Sequence, residues 1–173
     1  MIYMVEMDFR ETAREHDWHT WYLMHTTQLV RNVPGFTATQ RFRCLTPSKS
    51  PWLALHEVTG PDVFESKEYK ANGGPASTGE WRDLQTNWYR NVFSGWDRTP
   101  DVQLDQHLLV AEGNAKLPSE TSGSTMTWGK SVGLDKTTER RGLRVVDHGM
   151  LKASMFGIDG LRIFKPITPR ITR

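Results

Sequence analysis

The chain has 173 residues and a formal net charge of +2, with 24% charged residues; that balance, with no dense Lys/Arg run before the C-terminal end, excludes nucleic-acid binding by charge alone. Hydrophobic residues make up 37%, as in a globular protein. No apolar run reaches the roughly 18 residues of a membrane span, and no signal-peptide pattern opens the chain. The single cysteine, Cys44, excludes an intrachain disulfide and fits a reducing, cytoplasmic location, and seven Trp point to a core or pocket walled by large flat rings.

Residues 2–9 alternate Tyr3, Val5, Met7 and Phe9 with Met4, Glu6 and Asp8, which predicts a strand. Residues 12–36 predict the helix around which the chain is organised. Trp18, Trp21, Tyr22, His25, Leu29 and Val33 recur there at helical spacing and share one apolar stripe. Thr12 and Glu15 are spaced as a capping box, with Asp17 a competing start. Pro34-Gly35 ends the helix, because proline lacks the donor and glycine takes the left-handed turn. Residues 37–45 and 52–58 alternate again and predict two strands, with Trp52, Ala54, His56 and Val58 on one face of the second. Residues 61–71 predict a short helix, broken by Asn72-Gly73-Gly74-Pro75. Ser77 and Glu80 are spaced as a capping box for another helix, striped by Trp81, Leu84, Trp88 and Val92. Residues 102–112 predict a fourth strand.

This order is β-α-β-β-α-β. It predicts an α+β, ferredoxin-like domain over 1–112, with helices on one face of an antiparallel sheet. Residues 113–125 are polar and read as a linker. Residues 126–173 read as a degenerate βαβ half-repeat: strand 126–134, helix 137–155 with Leu143, Val146, Met150 and Leu151 as its buried side, and strand 161–167. Placing Gly157 on Gly35 brings Phe164 onto Phe42 and Thr168-Pro169 onto Thr46-Pro47. Such a unit is too small to bury its own core, so it must pack on the first domain or its partner. An open sheet with one uncovered apolar face predicts a homodimer formed sheet to sheet.

Trp21-x-x-x-His25 on the first helix, followed by Val33-Pro34-Gly35-Phe36, resembles the EthD-like branch of the dimeric α/β-barrel superfamily. The likeness covers about residues 1–112 and departs after the histidine, where His25-Thr26-Thr27-Gln28-Leu29 stands in place of His-x-Pro-Leu. The resemblance implies a dimer whose two sheets pack into a barrel, with a pocket between each sheet and its helices. Relatives of that kind include muconolactone-type isomerases, cofactor-free monooxygenases, polyketide cyclases and haem-binding members. They share a fold and not a reaction.

The residues narrow the chemistry. His16 and His19 lie off the apolar stripe and read as solvated. His25 lies on it, as either a satisfied core residue or a titratable group in a pocket. His56 and His107 converge with His25 only if their strand faces point toward the helices, a parity that a one-residue slip reverses. An imidazole in an apolar, Trp-lined pocket is neutral near pH 7 and able to act as a general base. His25, His56 and His107 are therefore the catalytic candidates. Trp21, Tyr22, Arg41, Arg43 and Trp88 are the substrate-binding candidates, the arginines to stabilise an enolate or hold a carboxylate. No histidine pair has the i, i+4 spacing and there is no Cys-x-x-Cys, so no metal site is expected; haem would need His25 or His107 as axial ligand. The leading expectation is a cofactor-independent acid/base enzyme, of isomerase, cyclase or lyase type, acting on a small, partly aromatic carbonyl or lactone compound. The alternatives are a cofactor-free monooxygenase, a haem-binding protein and a non-catalytic small-molecule-binding dimer. The expected partners are a small-molecule substrate and a second copy of the chain, with neither nucleic acid nor membrane.

Overall fold

The computed structural model describes residues 1–115 and 125–173, and of residues 75 and 76 the backbone only. Most of the linker expected over 113–125 thus lies outside the described residues. The first half runs β1 (Ile2–Phe9), α1 (Glu15–Asn32), β2 (Phe36–Cys44), β3 (Trp52–Val58), α2 (Lys67–Asn72), β4 (Gln85–Ser94). The second half runs β5 (Gln106–Glu112), β6 (Thr127–Leu134), β7 (Arg140–Asp147), β8 (Leu161–Pro166) and a two-residue β9 (Ile171–Thr172). Short 3-10 turns fill the connections, notably Pro61–Glu65, Pro75–Leu84, His148–Met150 and Ala153–Gly157.

The strands form one antiparallel sheet in the order β3-β1-β4-β6-β7-β5-β8-β2, and β2 pairs with β3 to close it; β9 adds to β2. The ferredoxin-like βαββαβ expectation is therefore overturned. The chain is mainly β: a closed eight-stranded barrel with, among the described residues, one long helix. It is not half of an α/β-barrel dimer either, since the strands that complete the barrel come from the same chain. The apolar sheet face that was to drive homodimerisation is the barrel interior. There Ile2, Met4, Phe42, Leu55, Phe93, Leu108, Val110, Leu143 and Phe164 form one buried cluster drawn from both halves.

Periodicity misled at two places, for one reason each. Trp88 and Val92 are four residues apart, a spacing that puts two side chains on one face of a strand as well as of a helix. Residues expected to continue a helix there form β4. Residues 137–155 were expected as a helix and instead form β7 and 3-10 turns. Their supposed single stripe is divided: Leu143 joins the interior cluster and Val146 the cluster outside. The half-repeat alignment also paired the wrong strands. Each half has the same relative order, β4-β1-β3-β2 and β8-β5-β7-β6, so β8 stands where β4 does and not where β2 does.

Alternation along β1 sends Tyr3, Val5, Met7 and Phe9 outward, under α1. The buried side of α1 is Trp18, Tyr22, Thr26, Leu29 and Val30, with Trp18 stacked on Phe9 at 4.6 Å. Each such ring contributes roughly 1.5–3 kcal/mol by leaving water. The helix starts at Glu15 without a side-chain cap, so neither Thr12 nor Asp17 acts as its N-cap. It ends as expected: Val33 is extended and Gly35 takes φ 96°, where an added Cβ would lie 2.7 Å from Thr59 Oγ1. Arg14 reaches Glu80 at 2.6 Å and its guanidinium lies 4.4 Å over the Trp81 ring, which ties the Pro75–Leu84 turn to the start of the helix.

Inside one end of the barrel, Glu6 on β1 pairs with Arg141 at 2.9 Å and with Arg162, and Glu112 on β5 pairs with Arg141 at 3.1 Å. These ions join the two halves across the interior. No helix is long and apolar enough to cross a membrane, among the described residues.

Candidate functional site

The outer face of β1 and β3 and the inner edge of α1 enclose a cavity of about 30 Å³. That is room for about two water molecules. His56 on β3 is directly opposite Tyr3 on β1 in the ladder, and the two rings stack at 5.2 Å. Phe36 packs edge-on against the same imidazole at 5.6 Å, and His56 is 1% exposed. His25 comes from α1, one turn beyond Trp21, and the two rings stack at 5.0 Å and 11°. Both histidines line the cavity, together with Tyr3, Tyr22, Tyr69, Gln85 and Trp88. Val5, Leu29, Gly74 and Thr78 complete its wall.

Three buried polar atoms on this wall have no hydrogen-bond partner among the described residues: His56 Nδ1, Gln85 Nε2 and Trp88 Nε1. Each unsatisfied group costs about 1–3 kcal/mol, so three around one cavity mark a place suited to a polar occupant. Burial lowers the His25 pKa to about 4. Burial, with help from His25 and Arg41, lowers that of His56 to about 3. Burial raises the pKa of Tyr3, Tyr22 and Tyr69. The site therefore presents neutral imidazoles and neutral phenols near pH 7: an apolar box with donors and acceptors but no net charge.

The other candidates fall in different places. Trp21 is half-buried and flanks His25 from outside the cavity. Tyr22 and Trp88 line it. His107 does not; it lies on β5, three strands round the barrel from β3, buried and 5.3 Å from His148. Arg41 and Arg43 turn into a separate cleft with Glu15, His16, His19 and Trp52. There the Arg41 guanidinium lies 4.2 Å over the Tyr22 ring. It donates to the His19 carbonyl at 3.3 Å and to His19 Nδ1 at 3.0 Å. His19, expected to be solvated, is half-buried, its ring 4.8 Å from Trp18 and 4.4 Å from Trp52. Burial and then Arg41 lower its pKa to about 4. His16 is exposed.

Sequence reasoning missed Tyr3, Tyr69 and Gln85. The alternation of β1 does place Tyr3 on the face that a helix must cover. Gln85 was hidden by the mistaken helix over β4. The sequence matches no protein-family model and no curated protein. The resemblance carried by Trp21-x-x-x-His25 and Val33-Pro34-Gly35-Phe36 thus rests on those residues alone.

Proposed function

We propose that the chain is a cofactor-independent acid/base enzyme acting on a small, neutral, partly aromatic carbonyl or lactone compound in the cavity beneath α1. The observation that carries this is the meeting of two neutral imidazoles with three unpaired polar atoms on one aromatic wall. His25 takes the proton from carbon next to the carbonyl. Gln85 Nε2 and Trp88 Nε1 donate to the carbonyl oxygen as it gains charge, His25 as imidazolium gives the proton back to the product carbon, and His56 orients the substrate by hydrogen bonding through its unpaired Nδ1. Preorganised donors in a dry site stabilise a developing enolate far better than they do in water. An imidazole with a pKa of about 4 is a weak base. Substrates are therefore restricted to compounds with an activated C–H, such as unsaturated lactones and benzylic ketones. Admission of a substrate requires the Pro75–Leu84 turn to move; Gly74 (φ 72°) precedes it and Gly79 (φ 53°) lies within it, and these are its hinges.

Deuterium wash-in tests the reading. A β,γ-unsaturated γ-lactone and an aryl ketone with a benzylic C–H are incubated in D₂O and followed by proton NMR. The protein should accelerate exchange or isomerisation, and His25→Asn or His56→Asn should reduce this about 10²-fold or more. Rates equal to those without protein, or equal in wild type and both variants, overturn the proposal. Oxygen uptake with the same compounds separates isomerisation from oxygenation.

A further inference from the structure

The cleft on the far side of Tyr22 has the opposite chemistry. It is a groove of about 430 Å³ between the first turns of α1 and the surface of β2, β3 and β8, within the roughly 300–1,000 Å³ typical of small-molecule sites. Its charged walls are Arg41 and Arg43 from β2 and Lys165 from β8, with His16, His19 and one acid, Glu15, from α1. Trp52, Leu23 and Ile167 supply apolar surface. It shares no lining residue with the histidine cavity.

Two observations show excess positive charge here. Arg43 and Lys165 are directly opposite each other in the antiparallel β2–β8 pair, an arrangement in which like charges repel. Arg41 is 3% exposed, yet no carboxylate pairs with it among the described residues. Its contacts are His19 and the faces of Trp18 and Tyr22. Burying a cation without a counter-ion is costly, and a bound anion offsets that cost. Glu15 does not supply it, since that carboxylate comes no nearer than 3.9 Å to His19 Nε2. Arg41 donates to Nδ1 of His19, so the neutral ring carries its own proton on Nε2, the edge nearer Glu15 and the cleft.

We infer that this cleft binds a small organic anion, a carboxylate or phosphate monoester with an apolar body. The anionic group sits among Arg41, Arg43 and Lys165, where guanidinium forks match its oxygens. The apolar body lies against Trp52 and Ile167. The site is independent of the proposed enzyme chemistry.

Isothermal titration at low ionic strength tests it, with benzoate, phenyl phosphate and uncharged benzamide as probes. At least one anion should bind with unit stoichiometry while benzamide does not, and the stronger anion identifies the preferred group. The double variant Arg43→Gln, Lys165→Gln should weaken that binding at least about tenfold. Both side chains are exposed, so this variant keeps the fold that replacement of buried Arg41 would endanger. His25→Asn should leave the affinity unchanged, which separates this site from the histidine cavity. Absence of binding by both anions, equal binding of benzamide, or full affinity in the double variant overturns the inference.

Discussion

The two halves of the barrel share one strand order and differ in what covers them. Over the first half lies α1, with the 61–84 segment beside it, and an aromatic core of Tyr3, Phe9, Trp18, Phe36, Phe64 and Trp81 fills the space beneath. Over the second half, among the described residues, lie short turns, whose Leu151, Met155 and Ile158 cover Leu109, Ala111, Val146, Leu161 and Ile163. Each half even places a buried histidine on its outer face, with Nδ1 unpaired: His56 on β3 and His107 on β5. His56 meets helix-borne His25 across a cavity, whereas His107 meets His148 from an exposed turn. A helix repeats side chains on one face every three or four residues, so α1 aims Tyr22, His25 and Leu29 at one place. A single 3-10 turn has too few residues to build such a wall. Closing the barrel takes both halves equally; making the site takes the helix.

The largest expected effect tests the shared interior. Glu6→Gln removes the carboxylate that joins β1 to Arg141 and Arg162. Buried Arg141 and half-buried Arg162 then keep only Glu112, at the more open side, as a carboxylate partner, and the urea midpoint should fall by the equivalent of about 3 kcal/mol. Glu112→Gln, at the more open side of the network, should cost about 1 kcal/mol or less. Equal losses would mean that the two halves contribute alike to the buried end of the network.

The next effect tests the coverings. Trp18→Ala empties the space between α1 and Phe9 and should cost about 3 kcal/mol or more. Met155→Ala, over the second half, should cost about 1 kcal/mol, because its side chain is only half-buried. Similar values in denaturant unfolding would show that the turns stabilise as much as the helix does.

Acid should then discriminate between the halves. In the unfolded chain a histidine takes up a proton near 6.5, whereas folded His25 stays neutral down to about 4 and His56 down to about 3. Between those values the unfolded state binds more protons, so stability falls as pH falls from 6.5. Glu6 has the same sign at lower pH: burial pushes it up, but Arg162 and Arg141 outweigh this and hold it below its usual value. Urea midpoints measured from pH 7 toward pH 4 should decline in wild type and decline less in the double variant His25→Asn, His56→Asn. A flat wild-type profile would show that these imidazoles are not held neutral.

The smallest effect is a near-absence of one. His107→Asn should leave any activity seen with the lactone or ketone probes within about twofold, against the roughly 10²-fold expected for His56→Asn. Loss of activity in both would move the site, or part of it, to the second half.

Local pattern alone determined much of the first half. Alternation gave away β1, β2 and β3, because side chains of a strand facing one buried side recur with period two. The stripe from Trp18 to Val33 made α1 readable, and Pro34-Gly35 its end, since each residue acts through its own backbone. Trp21 and His25 one turn apart were legible for the same reason. The strands expected over 102–112, 126–134 and 161–167 are likewise present as β5, β6 and β8. Tertiary structure decided how they pair and where the site lies. His56 faces the helix because the β1–β3 register sets it opposite Tyr3, a choice made between strands separated by about fifty residues. Arg41 leaves the His25 cavity as Tyr22 packs against it, and Arg43 lies over Trp52, contacts that no local spacing encodes. Residues 85–94 became a strand because β1 and β6 offered their backbones as partners on either side. The i, i+4 spacing of Trp88 and Val92 fits helix and strand alike, so the long-range ladder decided between them.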